Sequence, residues 1–231
     1  MACLTLEDIR SNEKINYLVN YANRCLEQIG YTDHGPRHVG YVSRIAGKLL
    51  SELDYPERRV ELAKIAGWVH DVGNMINRNE HGLTGATMLF SVLNDLNMDI
   101  EDVCDICSAV GSHEEQMGKP VSDISAALII ADKIDAYKAR VRANKYDPND
   151  IHDRVNYSIQ NTNVIVDKNN KTIMFDFTMD ATSSIMEFMQ LYLTRMKMCE
   201  ESAKFLGCSF ILKVNGTTAN RLISVKGSNN V

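Results

Sequence analysis

The residue types best suited to chemistry in this sequence are histidine and aspartate. All six histidines fall within the first 152 residues: His34, His38, His70, His81, His113 and His152. His70 is followed directly by Asp71, at the end of the apolar stretch in AGWVHDVGN. Imidazole and carboxylate together form a mixed ligand set that suits Fe, Mn, Co, Ni or Zn better than Ca. The pattern therefore indicates a divalent metal site, whereas a single histidine is more often an ordinary surface or core residue.

Asp132 supports this interpretation because it lies within the otherwise apolar run ALIIADKIDA. On a helix, its neighbours four residues away on either side are Leu128 and Ala136, so its face is apolar. A buried carboxylate is costly unless it is paired or bound to a metal. A salt bridge to Lys133 or to a neighbouring helix is the alternative to a metal.

Six helices are predicted to position these side chains, because apolar residues recur every three or four positions as far as about residue 141. The expected bounds, each approximate, are Ser11 to Gly30, Pro36 to Leu50, Pro56 to His70, His81 to Leu96, Asp99 to Ser112 and Ser122 to Val141. His38 then lies in a first turn, and most other candidate ligands lie at helix ends. Residues near helix ends from several segments are free to converge on one site.

The remainder of the chain, from about residue 145, is predicted to contain strands as well as a helix. KYDPNDIHDR is polar and reads as a junction, and NVIVD and TIMFDFTM flank the turn-prone KNNK as a hairpin. Ser184 and Glu187 form a capping box that opens a helix closed by Gly207. CSFILKV reads as a strand, and the polar tail that follows is expected to fray. The fold class is therefore mainly α, with a helical core in residues 1–145 and a small α+β (ββαβ) module in residues 146–231.

Composition narrows the classes of partner and location. The net charge is −5 and no basic block is present, which argues against bulk nucleic-acid binding. No apolar run approaches a membrane span, and the N-terminus lacks a signal-peptide pattern. A cytoplasmic protein with no membrane partner is expected. The six cysteines are scattered through the chain and are interpreted as buried thiols.

The ordered residues H38-V-G-Y-V-S-R-I-A, then H70-D71, then IIADKID with Asp132 resemble the HD-domain metal-dependent phosphohydrolase superfamily. The resemblance covers about residues 30 to 142. It implies an all-α core in which His38, His70, Asp71 and Asp132 bind a metal. His81 in HGLTGA and His113 in VGSHEEQMG resemble the extra ligands of HD subfamilies that hold two metals. One or two divalent ions per chain are therefore expected, with Fe, Mn, Ni, Co or Mg as candidates.

Several further residues receive roles on this basis. Asp71 is expected to ligate and to orient the attacking water, His34 to donate to a phosphate or leaving oxygen, and Glu114 to hold a water or a ligand. Lys133 and Arg140 are candidate phosphate-binding cations, and Asp135 is a candidate to fix a ligand or to bind a sugar hydroxyl. The alternatives are a loop or capping role for His34 and a solvated helix face for the others.

The resemblance implies hydrolysis of a phosphoester or phosphoanhydride by metal-activated water, in a nucleotide or related small molecule. Similar sites occur in dinucleoside polyphosphate hydrolases, in cyclic-dinucleotide phosphodiesterases and in HD-fold di-iron oxygenases, and an oxygenase is the alternative enzyme. A non-catalytic nucleotide sensor is a third possibility. Asn74 stands where many two-metal relatives carry lysine, and the GYP stretch of the cyclic-dinucleotide subfamily is absent. A small phosphorylated substrate is the expected partner, and a homodimer is the expected assembly.

Overall fold

The computed structural model describes residues 3–115, 118–142 and 146–220. Across these ranges the chain forms nine α-helices and one four-stranded sheet. The helices are α1 (Leu6–Ser11), α2 (Glu13–Gln28), α3 (Pro36–Glu52), α4 (Glu57–Val69), α5 (His81–Asp95), α6 (Ile100–Gly111), α7 (Asp123–Lys133), α8 (Ile151–Ser158) and α9 (Ile185–Phe205). Short 3-10 helices occupy Val72–Met75 and Lys138–Arg140. The mainly α architecture predicted from the sequence is confirmed.

A short helix that was not predicted, α1, precedes the first predicted helix. A capping box between Thr5 and Asp8 starts α1, and Ser11 is the last residue of that helix. The cap of α2 is Asn12, whose side chain accepts a hydrogen bond from the backbone N–H of Ile15. The prediction of Ser11 as a cap was therefore wrong by one residue, because the neighbouring asparagine satisfies the free N–H groups of the helix instead.

The sixth predicted helix ends earlier than expected. It was predicted to run to about Val141, but α7 stops at Lys133. The backbone N–H of Asp135 bonds to the carbonyl of Asp132, three residues back, and the carbonyl of Ala136 accepts from the Thr162 hydroxyl at 2.7 Å. These contacts turn the chain out of the helix, because they replace the bonds that a further helical turn would make.

The polar stretch interpreted as a junction contains a helix. Its sequence IHDR opens α8, and the Asp150 side chain caps it by accepting from the N–H of His152 at 2.8 Å. Val155, Asn156 and Ser158 are buried. The short helix was not predicted because only a few of its residues are apolar, and its packing against the rest of the chain determines its conformation.

The predicted ββαβ module is present, with one additional short strand. β1 (Ile159–Asp167) pairs antiparallel with β2 (Thr172–Met179), α9 follows, and β3 (Ser209–Val214) returns parallel to β2. β4 (Thr217–Thr218) pairs antiparallel with β3, so the sheet order is β1-β2-β3-β4. The capping box of Ser184 and Glu187 starts α9 as predicted. Most of the tail expected to fray, residues 221–231, lies outside the described residues.

One continuous apolar core joins the helices to the sheet. Helices α3, α4 and α7 pack together at its centre, and α9 packs against α7 from the other side. The Lys48 ammonium donates to the carbonyl of Val164 in β1 at 2.8 Å, which adds a polar contact between α3 and the sheet. Residues 143–145 lie outside the described ranges, and a domain boundary at 145 stays a prediction.

The cysteines differ in their exposure to solvent. Cys199 and Cys208 are buried, whereas Cys3 and Cys104 are exposed, so the interpretation of all six as buried thiols was wrong. Cys104 lies on the outward face of α6, where a small side chain of either polarity is tolerated.

Of the helices in the described ranges, none is both long enough and apolar enough to cross a bilayer.

Candidate metal centre

Helix ends bring six histidine and aspartate side chains together. His38 lies in the first turn of α3, His81 is the first residue of α5, and Asp132 lies in the last turn of α7. His113 follows the end of α6 by two residues. Helix α4 ends at Val69, and the chain turns at Asp71 into a 3-10 helix. This turn allows two adjacent side chains, His70 and Asp71, to face the same site.

Four of these side chains form one group of close ligand atoms. The Nε2 atoms of His38 and His70 are 3.3 Å apart, and each lies 3.3–3.5 Å from Asp71 Oδ2. Asp132 Oδ1 lies 3.5 Å from the His38 Nε2 atom and 3.7 Å from that of His70. All four residues are buried or nearly so. Residues from three helices thus surround a single small space.

A second group shares Asp71 with the first. The Nε2 atoms of His81 and His113 are 3.1 Å apart, and His81 Nε2 lies 3.4 Å from Asp71 Oδ1. Asp71 therefore directs one carboxylate oxygen toward each pair of histidines. The ligand atoms of His70, His113 and Asp132 also lie within 4.8 Å of one another, so the two groups are contiguous.

Hydrogen bonds on the far side of each ring fix which nitrogen carries the proton. The Nδ1 atoms of three histidines donate to backbone carbonyls: His70 to Gly67 at 3.0 Å, His81 to Arg78 at 2.9 Å and His113 to Val110 at 2.6 Å. His38 Nδ1 lies 2.7 Å from Asp135 Oδ2, a carboxylate that only accepts. In the neutral rings, all four Nε2 lone pairs then point into the shared space, which is the arrangement that metal-binding histidines require.

The residues present fit a divalent cation. Two imidazole lone pairs 3.1–3.3 Å apart repel each other unless a positive charge lies between them. Asp71 Oδ2 is buried and accepts no hydrogen bond from any residue that the structure describes. Ligand atoms about 2.0–2.2 Å from one ion in a tetrahedral site are separated by roughly 3.3–3.6 Å, close to most of the distances found here. The cluster is therefore able to hold a divalent metal.

The charges within the cluster differ between its two groups. Burial lowers the pKa of His70, but the Asp71 and Asp132 carboxylates outweigh burial and raise that pKa to about 10. The pKa values of both carboxyls are held well below their usual range, against the effect of burial: that of Asp71 by His70 and His38, and that of Asp132 by Lys133, His38 and His70. Burial, assisted by nearby cations, lowers the pKa values of His81 and His113. The first group therefore combines two carboxylates with a histidine that they favour in its charged form, whereas burial disfavours the charged form of both histidines in the second group.

Two of the predicted supporting carboxylates orient ligands. Asp135 accepts from His38 through Oδ2, and from Arg37 through both oxygens at 2.8 and 3.3 Å, so both of its oxygens are already engaged. Glu114 accepts from the N–H groups of Glu80 and Gly82 at the start of α5, and its Oε1 lies 3.3 Å from His81 Nδ1. The contacts favour the ligand-orienting alternative for both residues.

The predicted cations lie at the site but are already paired. Lys133 donates to Asp132 Oδ2 at 2.5 Å, and Arg140 donates to the Asp135 carbonyl at 3.2 Å and to His34 Nε2 at 2.8 Å. Both are buried, as is Asp135, so the alternative of a solvated helix face was wrong for these three residues. The reason is that the chain leaves the helix at Lys133 and folds back onto the site. His34 Nδ1 donates to the Thr32 carbonyl at 2.7 Å, so neither of its nitrogens is free to donate to a phosphate here.

Sequence reasoning missed a chain of polar contacts that ends at Arg78. Asn74 donates through Nδ2 to Asp71 Oδ1 at 2.8 Å, and its Oδ1 accepts from Arg78 Nη1 at 3.1 Å. Asn74 thus supports the carboxylate of a candidate ligand directly. Asn74 and Arg78 follow the His-Asp pair and are four residues apart. This spacing was the only signal in the sequence, and it is too common to identify such a contact.

A cavity of about 550 Å³ opens beside the cluster, a volume typical of sites for small molecules. Asp71, His81 and Asp132 line its floor. The walls carry four arginine or lysine side chains: Arg78, Lys133, Arg140 and Arg195. The C-terminal part contributes Asp150, His152, Asp153, Asn156, Tyr192 and Arg195 to the lining. The cavity is therefore bounded by both parts of the chain and gives access to the candidate ligands.

Comparison with known proteins found a similar sequence and a similar solved structure. The chain is 23% identical over 159 residues to the uncharacterized protein MJ1020 of Methanocaldococcus jannaschii, a match that covers 59% of this chain and 61% of that relative. It is also similar to the crystal structure of a predicted HD superfamily hydrolase from an uncultured Thermotogales bacterium. That similarity has a TM-score of 0.46 and 23% sequence identity, and covers 58% of this chain and 73% of the other.

The family model of the HD domain matches residues 37–140. This range contains all six side chains of the cluster, from His38 in α3 to Asp132 in α7, and it ends before the α+β module begins. Residues 37–140 of this chain thus match the HD domain, and the histidines and aspartates within them converge in a cluster able to hold a divalent metal.

Proposed function

We propose that this protein is a metal-dependent phosphohydrolase that cleaves a phosphoester or phosphoanhydride in a nucleotide or related small molecule. One observation carries the proposal: a cluster of four imidazole and two carboxylate side chains borders a cavity, whose lining includes Asp71, His81 and Asp132 of the cluster together with four arginine or lysine side chains. The four cations in the lining can contact an anionic substrate, and the ligand cluster suits the ion that would activate water.

The proposal places two ions in the cluster. One is held by His38, His70, Asp71 Oδ2 and Asp132, and the other by His81, His113 and Asp71 Oδ1. Asp71 would bridge them, since its two oxygens face different histidine pairs.

When bound, the ions would lower the pKa of a coordinated water toward about 7 and neutralise charge on the phosphoryl oxygens. The chain's own residues prepare the site for this chemistry. The Nδ1 hydrogen bonds hold every imidazole with its lone pair directed inward, and Asn74 holds the Asp71 carboxylate. Buried Lys133 and Arg140 add fixed positive charge near the place where the phosphoryl group develops negative charge.

A phosphatase assay on metal-loaded protein tests this proposal. The protein, stripped with a chelator and reloaded with Mn²⁺ or Fe²⁺, is expected to release phosphate or a nucleoside monophosphate from a panel of nucleotides and phosphoesters. His70→Ala is expected to abolish the release because it removes a ligand of the first ion. The thermal melting curve of the variant controls for folding, and full activity in a folded His70→Ala protein would contradict the proposal.

Replacing His81 tests the second ion. His81→Ala is expected to reduce bound metal from about two to about one equivalent per chain, because the site of Asp71 Oδ1 and His113 would keep too few ligands. Elemental analysis after gel filtration measures the change, and His113→Ala serves as the matched variant. Two equivalents retained in both variants would exclude these histidines as ligands.

An HD-fold di-iron oxygenase would use a comparable six-residue ligand set. The four arginine and lysine side chains in the lining of the cavity can contact a phosphorylated substrate, which is why hydrolysis is proposed first. Oxygen consumption by the Fe(II)-loaded protein separates the two activities: hydrolysis of a phosphoester proceeds without oxygen uptake, whereas oxygenation of a substrate requires it.

A further inference from the structure

Arg78 differs from the other cations that line the cavity. Lys133 pairs with Asp132, Arg140 lies against Asp135, and the Arg195 guanidinium bonds to Glu115 at 2.5 Å. No carboxylate oxygen of residues 3–115, 118–142 or 146–220 lies within 4.0 Å of the Arg78 guanidinium. Arg78 thus contributes a positive charge to the cavity that is not neutralised by a direct partner in the described structure.

Three contacts hold Arg78 beside the cluster. Its Nη1 donates to Asn74 Oδ1 at 3.1 Å, and its guanidinium lies over the Tyr31 ring, 5.2 Å from the centroid. Its backbone carbonyl accepts from His81 Nδ1 at 2.9 Å. Asn74 in turn bonds to Asp71. The same residue is therefore tied to a ligand in each of the two groups, and its guanidinium has a defined position in the cavity wall.

The guanidinium keeps most of its hydrogen-bonding capacity. An arginine side chain has five N–H donors in a planar fork, and the contact with Asn74 uses one of them. Stacking on Tyr31 occupies a face of the guanidinium and leaves its edge available. A phosphate group matches such an edge, because two of its oxygens accept two parallel N–H bonds. Arg78 is half-buried, so the charge is partly shielded from water and acts strongly on a bound anion.

We propose that Arg78, positioned by Asn74 and Tyr31, binds the phosphate group of the substrate at the wall of the cavity next to the Asp71 carboxylate. This inference rests on the proposed function and identifies the residue that recognises the anionic group. It assigns the main phosphate contact to Arg78 rather than to Lys133 and Arg140, which are engaged with Asp132, Asp135 and His34.

Binding of inorganic phosphate to the Mn²⁺-loaded protein provides the test. Arg78→Gln removes the charge but keeps an N–H donor that can bond to Asn74, and Arg78→Lys keeps the charge without the fork. Arg78→Gln is expected to weaken phosphate binding, measured by calorimetry, on the order of 10- to 100-fold, and Arg78→Lys is expected to lose less. The KM for 4-nitrophenyl phosphate should rise in parallel. Metal content and melting temperature should stay at the wild-type values in both variants.

Arg44→Gln is a matched control. The Arg44 guanidinium also lies over a tyrosine ring, 5.1 Å from the centroid of Tyr41, but it is exposed and does not line the cavity. This variant is expected to bind phosphate as the wild type does.

Three results would overturn the inference: wild-type phosphate affinity in Arg78→Gln, a loss of affinity accompanied by loss of metal, or no phosphate binding by the metal-loaded wild type. A loss of metal would mean that Arg78 only braces Asn74 and Asp71. The proposed function fails separately, if the wild type binds phosphate through Arg78 but hydrolyses no phosphoester.

Discussion

Replacing Asp71 by Asn is expected to remove both bound metal and hydrolysis. Asp71 Oδ2 is buried between His38 and His70 and accepts no hydrogen bond from the residues that the structure describes. Asp71 Oδ1 faces His81. The amide keeps the size of the side chain but loses its negative charge, and at least one of the two facing atoms becomes a poor ligand. Removal of a residue that only orients a ligand lowers metal affinity or activity roughly 10- to 100-fold. The loss caused by Asp71→Asn should be larger.

Asp135→Asn supplies the comparison for this prediction. Asp135 touches His38 but lies outside the cluster, so its replacement should fall within that 10- to 100-fold range. Metal content by elemental analysis and rates with a fixed phosphoester are measured for both variants, with melting temperature as the control for folding. An Asp71→Asn protein that retains metal and activity, or equal effects of the two substitutions, would contradict the placement of Asp71 at the centre of the site.

Replacing Gly73 by Ala is expected to disturb the second group of ligands and the stability of the fold. An added Cβ at Gly73 would lie 2.6 Å from the backbone nitrogen of Gly85 and closer still to the backbone carbonyl of His81. Because these atoms belong to the backbone of α5, the first turns of that helix must move, and His81 moves with them. Overpacking of this kind costs about 1–3 kcal/mol or more in the free energy of unfolding.

Thermal melting and metal analysis measure the two consequences of Gly73→Ala. A cost near 3 kcal/mol corresponds to a fall of roughly 6–12 °C in the melting temperature of a chain this long. Bound metal should fall from about two equivalents toward one. Gly111→Ala is the control, since its added Cβ meets the nearest atom, Ala86 Cβ, at an ordinary 3.6 Å, and alanine favours the helix there. A wild-type melting temperature and metal content in Gly73→Ala would show that α5 does not approach Gly73 this closely.

The candidate ligands could be identified from the sequence because residues close to them in the chain determine where the neighbouring helices begin and end. The position of His38 just after Pro36, the end of an apolar helix at His70, and the cap of α6 at Asp99 are all set by nearby residues. The hairpin and the α9 capping box have the same local origin. Given these elements, a resemblance carried by three short motifs was sufficient to predict the helical core and the six converging side chains.

The surroundings of the candidate ligands depend on contacts between residues far apart in the sequence. No local sequence pattern predicts such contacts. The end of α7 at Lys133 is set partly by Thr162, and that turn buries Asp135 against His38. Arg140 pairs with groups about a hundred residues away, so its engagement was not predicted. Arg78 carries no motif, and its place beside Asn74 and Tyr31 becomes visible only in three dimensions.

Anomalous X-ray diffraction from crystals of the Mn²⁺-loaded protein tests the central claim most directly. Two peaks are predicted, one among the Nε2 atoms of His38 and His70 and the carboxylates of Asp71 and Asp132, and the other among Asp71, His81 and His113. Their predicted separation is about 3.5–4 Å, with Asp71 as a ligand of both ions. The absence of any peak at Asp71, or a peak bound by residues outside this cluster, would contradict the account.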